Sequence, residues 1–185
     1  LNDTSTQFLK FSKVTGADVS SSIENVAMSM KAFNVDASQT GDVLDLLAKT
    51  STGTGISVET LMGDLNTNGA TFRAMGLSIQ DSITLLGDFE AAGVPADQML
   101  TGLKKAAANC SKEGTDLGST LRQLVTDLQD PAKQADATKT AFDLFGTRAA
   151  QSFVDAAESG RINLDDLGGS LDSAKGFVSD LKDET

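Results

Sequence analysis

The chain has 185 residues, a formal charge of -11 from 26 acidic and 15 basic side chains, and no His, Trp or Tyr. Without histidine there is no imidazole base near neutral pH, no Ser-His or Cys-His pair and none of the usual His-containing zinc sites. The acidic balance has the wrong sign for gripping nucleic-acid phosphates or an anionic membrane surface, and the single cysteine, Cys110, leaves no intramolecular disulfide and no cysteine-rich metal cluster.

Apolar residues recur mostly at three- and four-residue steps, and only two prolines occur, Pro95 and Pro131, so the chain reads as all helix. No apolar run approaches the roughly 18 to 20 residues of a membrane span, because Gly, Asp, Ser or Lys interrupts each one.

A recurrent helix-start box organises the first hundred residues. Its copies are Ala17-Asp18-Val19, Val35-Asp36-Ala37, Ile56-Ser57-Val58, Leu77-Ser78-Ile79 and Val94-Pro95-Ala96, each preceded by Gly or, at Asn34, by Asn. Gly or Asn accepts the left-handed conformation that ends one helix, and the Asp or Ser oxygen caps the exposed amides of the next. Gln39 and Asp81 stand three residues after Asp36 and Ser78, as a reciprocal capping box requires, and Pro95 presets a first helical turn. The boxes lie 18, 21, 21 and 17 residues apart, which predicts one helix of three or four turns per unit, with consecutive helices folding back on each other. Gly41, Gly63, Gly87, Gly102 and Gly118 fall inside predicted helices, marking either close helix approach or an element that must sometimes open.

Ile79, Ile83, Leu86 and Phe89 form an apolar stripe before Pro95, and Met99, Leu103 and Ala107 form another after it. Leu117, Leu121, Leu124, Val125 and Leu128 make the clearest stripe, predicting a helix packed on one side. Helices are expected from about Ala132 to Phe145 and from about Thr147 to Glu158, with breaks at Gly146 and at Ser159-Gly160. A last helix is expected from near Asn163, where Leu164, Leu167, Leu171, Ala174, Val178 and Leu181 step by three and four like a coiled-coil seam. The resulting fold class is all-α: a helical-hairpin array or bundle of about eight to ten short helices, ending in a coiled-coil-like helix. Residues 1–160 would form a helical core domain and residues 161–185 the C-terminal helix. Because the sequence opens on Leu1 and stops inside the heptad pattern, it is expected to be a piece of a longer protein.

Chemistry-bearing candidates are few. Gly53-Thr54-Gly55 approaches a phosphate loop, but Val58 stands where a third glycine would be and no Gly-Lys-Ser/Thr follows, so a turn between helices is expected. Asp165-Asp166, and Asp88 with Glu90, offer paired carboxylates, yet neighbours on a helix point about 100° apart and do not converge alone. They read as solvated faces, and Asp165-Asp166 as first-turn charges favourable to the helix dipole. Cys110 lacks a histidine to activate it; nearby Lys104, Lys105 and Lys112 could lower its pKa, but a buried structural thiol fits better. No catalytic, cofactor-binding or metal site is assigned, no cofactor is expected, and the chain does not read as an enzyme.

Several stretches together resemble the tail tape measure proteins of long-tailed bacteriophages and prophages. They are Lys31-Ala32-Phe33-Asn34-Val35-Asp36-Ala37-Ser38 with Gly41-Asp42-Val43-Leu44-Asp45; Thr54-Gly55-Ile56-Ser57-Val58; and Leu85-Leu86-Gly87-Asp88-Phe89-Glu90-Ala91-Ala92-Gly93-Val94. Gly102-Leu103-Lys104-Lys105-Ala106-Ala107-Ala108-Asn109, Phe142-Asp143-Leu144-Phe145-Gly146-Thr147-Arg148-Ala149, Ser159-Gly160-Arg161 and Leu164-Asp165-Asp166-Leu167 follow in the same order. The resemblance runs from about Phe11 to Leu171 and rests on order and spacing, each motif being a helix joint. It implies a structural virion component made in the host cytoplasm, which sets tail length during assembly and leaves ahead of the DNA. It implies tail tube proteins, tail assembly chaperones and tail tip proteins as partners and offers no catalytic residues; the heptad seam of the C-terminal helix separately predicts that this helix is stabilised by a partner chain, as in self-association, or by continuing sequence. Neither direct nucleic-acid binding nor a membrane span is expected in this stretch. The alternative reading is a non-enzymatic helical-repeat module that docks protein partners on a concave face.

Overall fold

The computed structural model describes residues 3–169 and 171–183. All regular structure among them is helical: α1 (Asp3–Thr15), α2 (Val19–Ala32), α3 (Thr40–Thr54), α4 (Val58–Ala74), α5 (Ile79–Ala91), α6 (Ala96–Glu113), α7 (Leu117–Gln129), α8 (Gln134–Phe145), α9 (Thr147–Glu158) and α10 (Phe177–Asp183). Short 3-10 helices occupy Ala37–Gln39 and Leu171–Ala174.

The five boxes form the five joints they predict. Gly16, Gly55, Gly76 and Gly93 adopt φ between 76° and 80°, and Asn34 takes φ 54°. After them, the Asp18 side chain accepts from the Ser21 amide and the Ser57 side chain from the Thr60 amide. At Ser78 the reciprocal box is complete: its Oγ accepts from the Asp81 amide at 3.0 Å, and its own amide donates to Asp81 Oδ2 at 3.3 Å. Two details differ from expectation. Asp36 accepts from the Ser38 amide at 2.8 Å, tightening the chain into a 3-10 turn, and Gln39 becomes the residue before α3 with no side-chain cap. Pro95 is the extended cap residue of α6, at φ -59° and ψ 139°, and Ala96 opens the helix.

The chain divides into two compact units, with the boundary inside α5. Unit 1 comprises Leu1–Ile83 and Gly169–Thr185. In it, α1 packs chiefly on α3 and α2 on α4, so the principal neighbour of a helix is the next but one rather than the next. Its interior holds Phe11, Leu44, Leu47, Leu61, Leu65 and Phe72, each at most 1% exposed. The α2–α4 seam is partly polar: Ser29 Oγ donates to Asn66 Oδ1 at 2.6 Å, and Asn66 Nδ2 donates to Asn25 Oδ1 at 3.1 Å.

Unit 2 is Thr84–Gly168 and contains α6 to α9. The expected stripe on α7 is its buried face, with Leu117, Leu121, Leu124, Val125 and Leu128 all inside. Phe153 stacks obliquely on Phe145 and on Phe89, with centroids 4.6 and 5.7 Å apart.

The C-terminal segment does not form the single helix expected from near Asn163. Residues 161–164 carry no regular structure, Asp165–Gly168 make a turn, and only the Leu171–Ala174 3-10 helix and seven-residue α10 follow. Left-handed glycines at Gly168 (φ 76°) and Gly176 (φ 86°) interrupt helical geometry twice. The seam residues Leu164, Leu167, Leu171, Ala174 and Val178 are nonetheless buried. Their three-four spacing reflects separate turns that each point an apolar side chain inward. Leu164 and Leu167 belong to unit 2, and the rest to unit 1.

Candidate functional site

Within unit 2 the stretches that carry the family resemblance meet one another. At Gly102 in α6 an added Cβ would stand 2.9 Å from the Ala149 Cβ and 3.1 Å from the Phe145 ring, so α6 approaches the α8–α9 joint as closely as a glycine permits. Lys105, one turn on, lies over that joint, its Nζ 3.4 Å from where a side chain at Gly146 would begin. Arg161 reaches back along the chain, donating through Nη1 to the Ala92 carbonyl at 2.6 Å and through Nη2 to Asp155. It thereby fastens the end of α9 to the turn after α5. Arg122 similarly donates to the Leu167 carbonyl and, at 3.3 Å, to Ser119 Oγ. Gly102, Lys105, Gly146 and Arg161, all from the resemblance stretches, serve as joints and fasteners.

Gly53-Thr54-Gly55 is the end of α3 and its left-handed cap, the turn that the sequence predicts. Cys110 is 2% exposed, with Sγ 3.6 Å from Thr120 Oγ1, while Lys104, Lys105 and Lys112 are exposed. Asp165 and Asp166 occupy a turn instead of a first helical turn, with the Asp165 amide held by Asn163 Oδ1 at 2.9 Å. The expected helix-dipole role therefore does not apply to them.

The structure also re-pairs the carboxylates. Asp88 faces Asp166, from the other candidate pair, and its carboxyl is pushed up to about 7, first by burial and second by the Asp166 charge. Burial disfavours the charged form of the Asp88 carboxyl, and a second negative charge nearby acts in the same direction. Among the described residues, no group of three or more His, Cys, Asp or Glu is placed to hold a metal ion.

An open cleft of about 850 Å³ lies between α7 and α8, floored by Leu124 and Ala137. Of its acidic lining residues, Asp116 caps α7 through the Ser119 amide at 2.8 Å, and Asp127 takes Lys133 at 3.1 Å and Gln123 at 2.9 Å. Those hydrogen bonds hold both carboxyls below the usual carboxylate range. Both acids are thus committed to the fold.

Three features were missed in the sequence. A sixth helix-start box exists at Gly114-Thr115-Asp116, with Gly114 at φ 70°. It lies 21 residues after Pro95 and differs from the other five in carrying Thr115 where they have an apolar residue. The Asp88–Asp166 pairing spans 78 positions and left no local signal. The third is Asp45 on α3, whose two oxygens accept from the amides of Gly176 at 2.7 Å and Val178 at 2.9 Å.

Compared with known proteins, residues 1–185 match the family described as phage-related minor tail protein. The tape measure protein of Pneumococcus phage Dp-1 is 26% identical over 122 residues, covering 66% of this chain. The matched stretch is 11% of that relative's length, so the chain corresponds to a small part of it. No solved structure matches the chain. No helix among the described residues is long and apolar enough to cross a membrane. A match over all 185 residues, on a helical fold whose joints are formed by the motif residues, places the chain in the phage-related minor tail protein family.

Proposed function

We propose that the chain is a helical core region of a tail tape measure protein: a non-enzymatic structural part of a phage tail that sets tail length during assembly and leaves ahead of the DNA. The observation that carries the reading is the family match along the whole chain, supported by the similarity to a phage tape measure protein. The charge of -11 is compatible with it, because an acidic protein sharing a channel with DNA is repelled by the phosphates. Its partners would be tail tube proteins, tail assembly chaperones and tail tip proteins, and its destination the virion after synthesis in the host cytoplasm. The buried seam of the C-terminal segment argues that any self-association uses other surfaces or requires that segment to move.

The reading is tested by mass spectrometry of purified tails and of tails that have ejected their DNA. Peptides from this chain should be present in the first and depleted in the second. Their absence from intact tails would overturn the assignment.

A further inference from the structure

Unit 1 is discontinuous: residues 1–83 are completed by the chain's last stretch, after the whole of unit 2 has intervened. That stretch lies on α3 and α1. Its regular parts are only four and seven residues long, far below what holds a helix on its own in water. Its grip on unit 1 is correspondingly local. The Asp45 carboxylate accepts the Gly176 and Val178 amides, supplying both a cap and a negative charge at the start of α10. Lys49, one turn further along α3, donates to the Ser173 carbonyl at 3.4 Å from an exposed position. Leu171, Ala174 and Val178 supply the buried apolar contacts, a short set beside the six buried residues of α3 or of α4. Val178 and Ser179 share a small cavity of about 170 Å³ with Leu44, Asp45 and Gln7, so the packing beneath the start of α10 is incomplete.

We propose that Leu171–Asp183 is a releasable strap, latched at Asp45, whose detachment is the first step in opening the fold. Drawing the chain out from its C-terminal end begins with this step, because the strap is the last stretch packed on unit 1. While the strap is in place, residues on both sides of unit 2 are tied into one body; once it is off, unit 1, unit 2 and a free C-terminal segment follow one another along the chain. Release would uncover α3 at Leu44, which lines the cavity below the strap. The inference concerns the isolated fold and stands independently of the tail reading.

Native-state hydrogen exchange on the full chain tests it. The amides of Gly176, Val178 and Asp180, the last bonded to the Gly176 carbonyl at 2.9 Å, should exchange at least about a hundredfold faster than those of Leu44 to Ala48 in α3, as expected for local rather than global opening. Asp45→Ala should accelerate strap exchange by about tenfold or more, since it removes two charge-assisted bonds, while α6 to α9 keep their rates. Asp45→Asn, which retains an acceptor oxygen, should fall between. Strap amides as protected as those of α3, or acceleration spread equally over both units, would overturn the proposal. If Asp45→Ala does not fold, the gradient in the unsubstituted chain decides.

Discussion

A Cβ built on Gly102 would lie 2.9 Å from the Ala149 Cβ, closer than real side chains approach, whereas one built on Gly63 in α4 meets nothing within 4 Å. The two helix-interior glycines therefore have opposite expected responses to alanine. Gly63→Ala gains helix propensity without a clash and should stabilise by about 0.5 to 1 kcal/mol. Gly102→Ala gains the same propensity but forces the α6 and α8–α9 backbones apart, and overpacking of about 1 to 3 kcal/mol outweighs it. Urea denaturation of both variants checks the signs. Equal stabilisation at both sites would mean that the close approach in unit 2 is not real.

Leu121 is fully buried on α7, so Leu121→Ala should cost about 2 to 5 kcal/mol through lost transfer energy and a residual cavity. Ile23→Ala on α2, where the side chain is 44% exposed, should change stability by no more than about 0.5 kcal/mol. The comparison separates core from surface by the same denaturation measurement.

Stability should have a maximum at mildly acidic pH, and the sign follows from Asp88. Its folded pKa of about 7 lies above the ordinary aspartate value of 3.8, so between those values the folded chain binds more protons than the unfolded one. Stability therefore falls as pH rises through that interval and levels off above it. The depressed carboxyls of Asp18, Asp36, Asp116 and Asp127 act the other way: their contribution is present above the unfolded value and is lost as pH falls through their folded values. Denaturation midpoints measured from pH 4 to 8 should decline toward pH 7, and Asp88→Asn should flatten that decline and raise stability at pH 7.5. An unchanged slope in Asp88→Asn would assign the pH dependence to other groups.

The Asp116 cap is worth about 1 kcal/mol, the usual cost of replacing an N-cap oxygen by Ala. Thermal melting of Asp116→Ala should show a drop of that order. No drop would show that α7 is held by its buried face alone.

What was legible in the sequence was local. Gly or Asn followed within two residues by an oxygen-bearing cap located five helix starts, because both halves of the signal act within one turn of backbone. The same periodicity misled at the C-terminus: Leu164 to Val178 step as a heptad seam does, yet left-handed Gly168 and Gly176 break the run, and the side chains reach the interior from separate turns. The capping of α10 by Asp45 joins positions 131 and 133 residues apart. Nothing near Asp45 distinguishes it from a solvated helix carboxylate. The preference of α1 for α3 and α2 for α4 is likewise a tertiary outcome that capped helix lengths do not encode.

The proposed role in setting tail length requires this folded region to be extended inside the tail. As a continuous helix unit 2 would span roughly 130 Å, whereas a compact unit of its size has a radius of gyration near about 12 Å. The most direct measurement is tail length by electron microscopy in phage carrying an in-frame deletion of unit 2, Thr84–Gly168, in its tape measure gene. Extended at helical rise, that stretch measures about 130 Å, and tails should be shorter by that amount. Intact particles containing the shortened protein with tails of unchanged length would rule out an extended, length-setting role for this region.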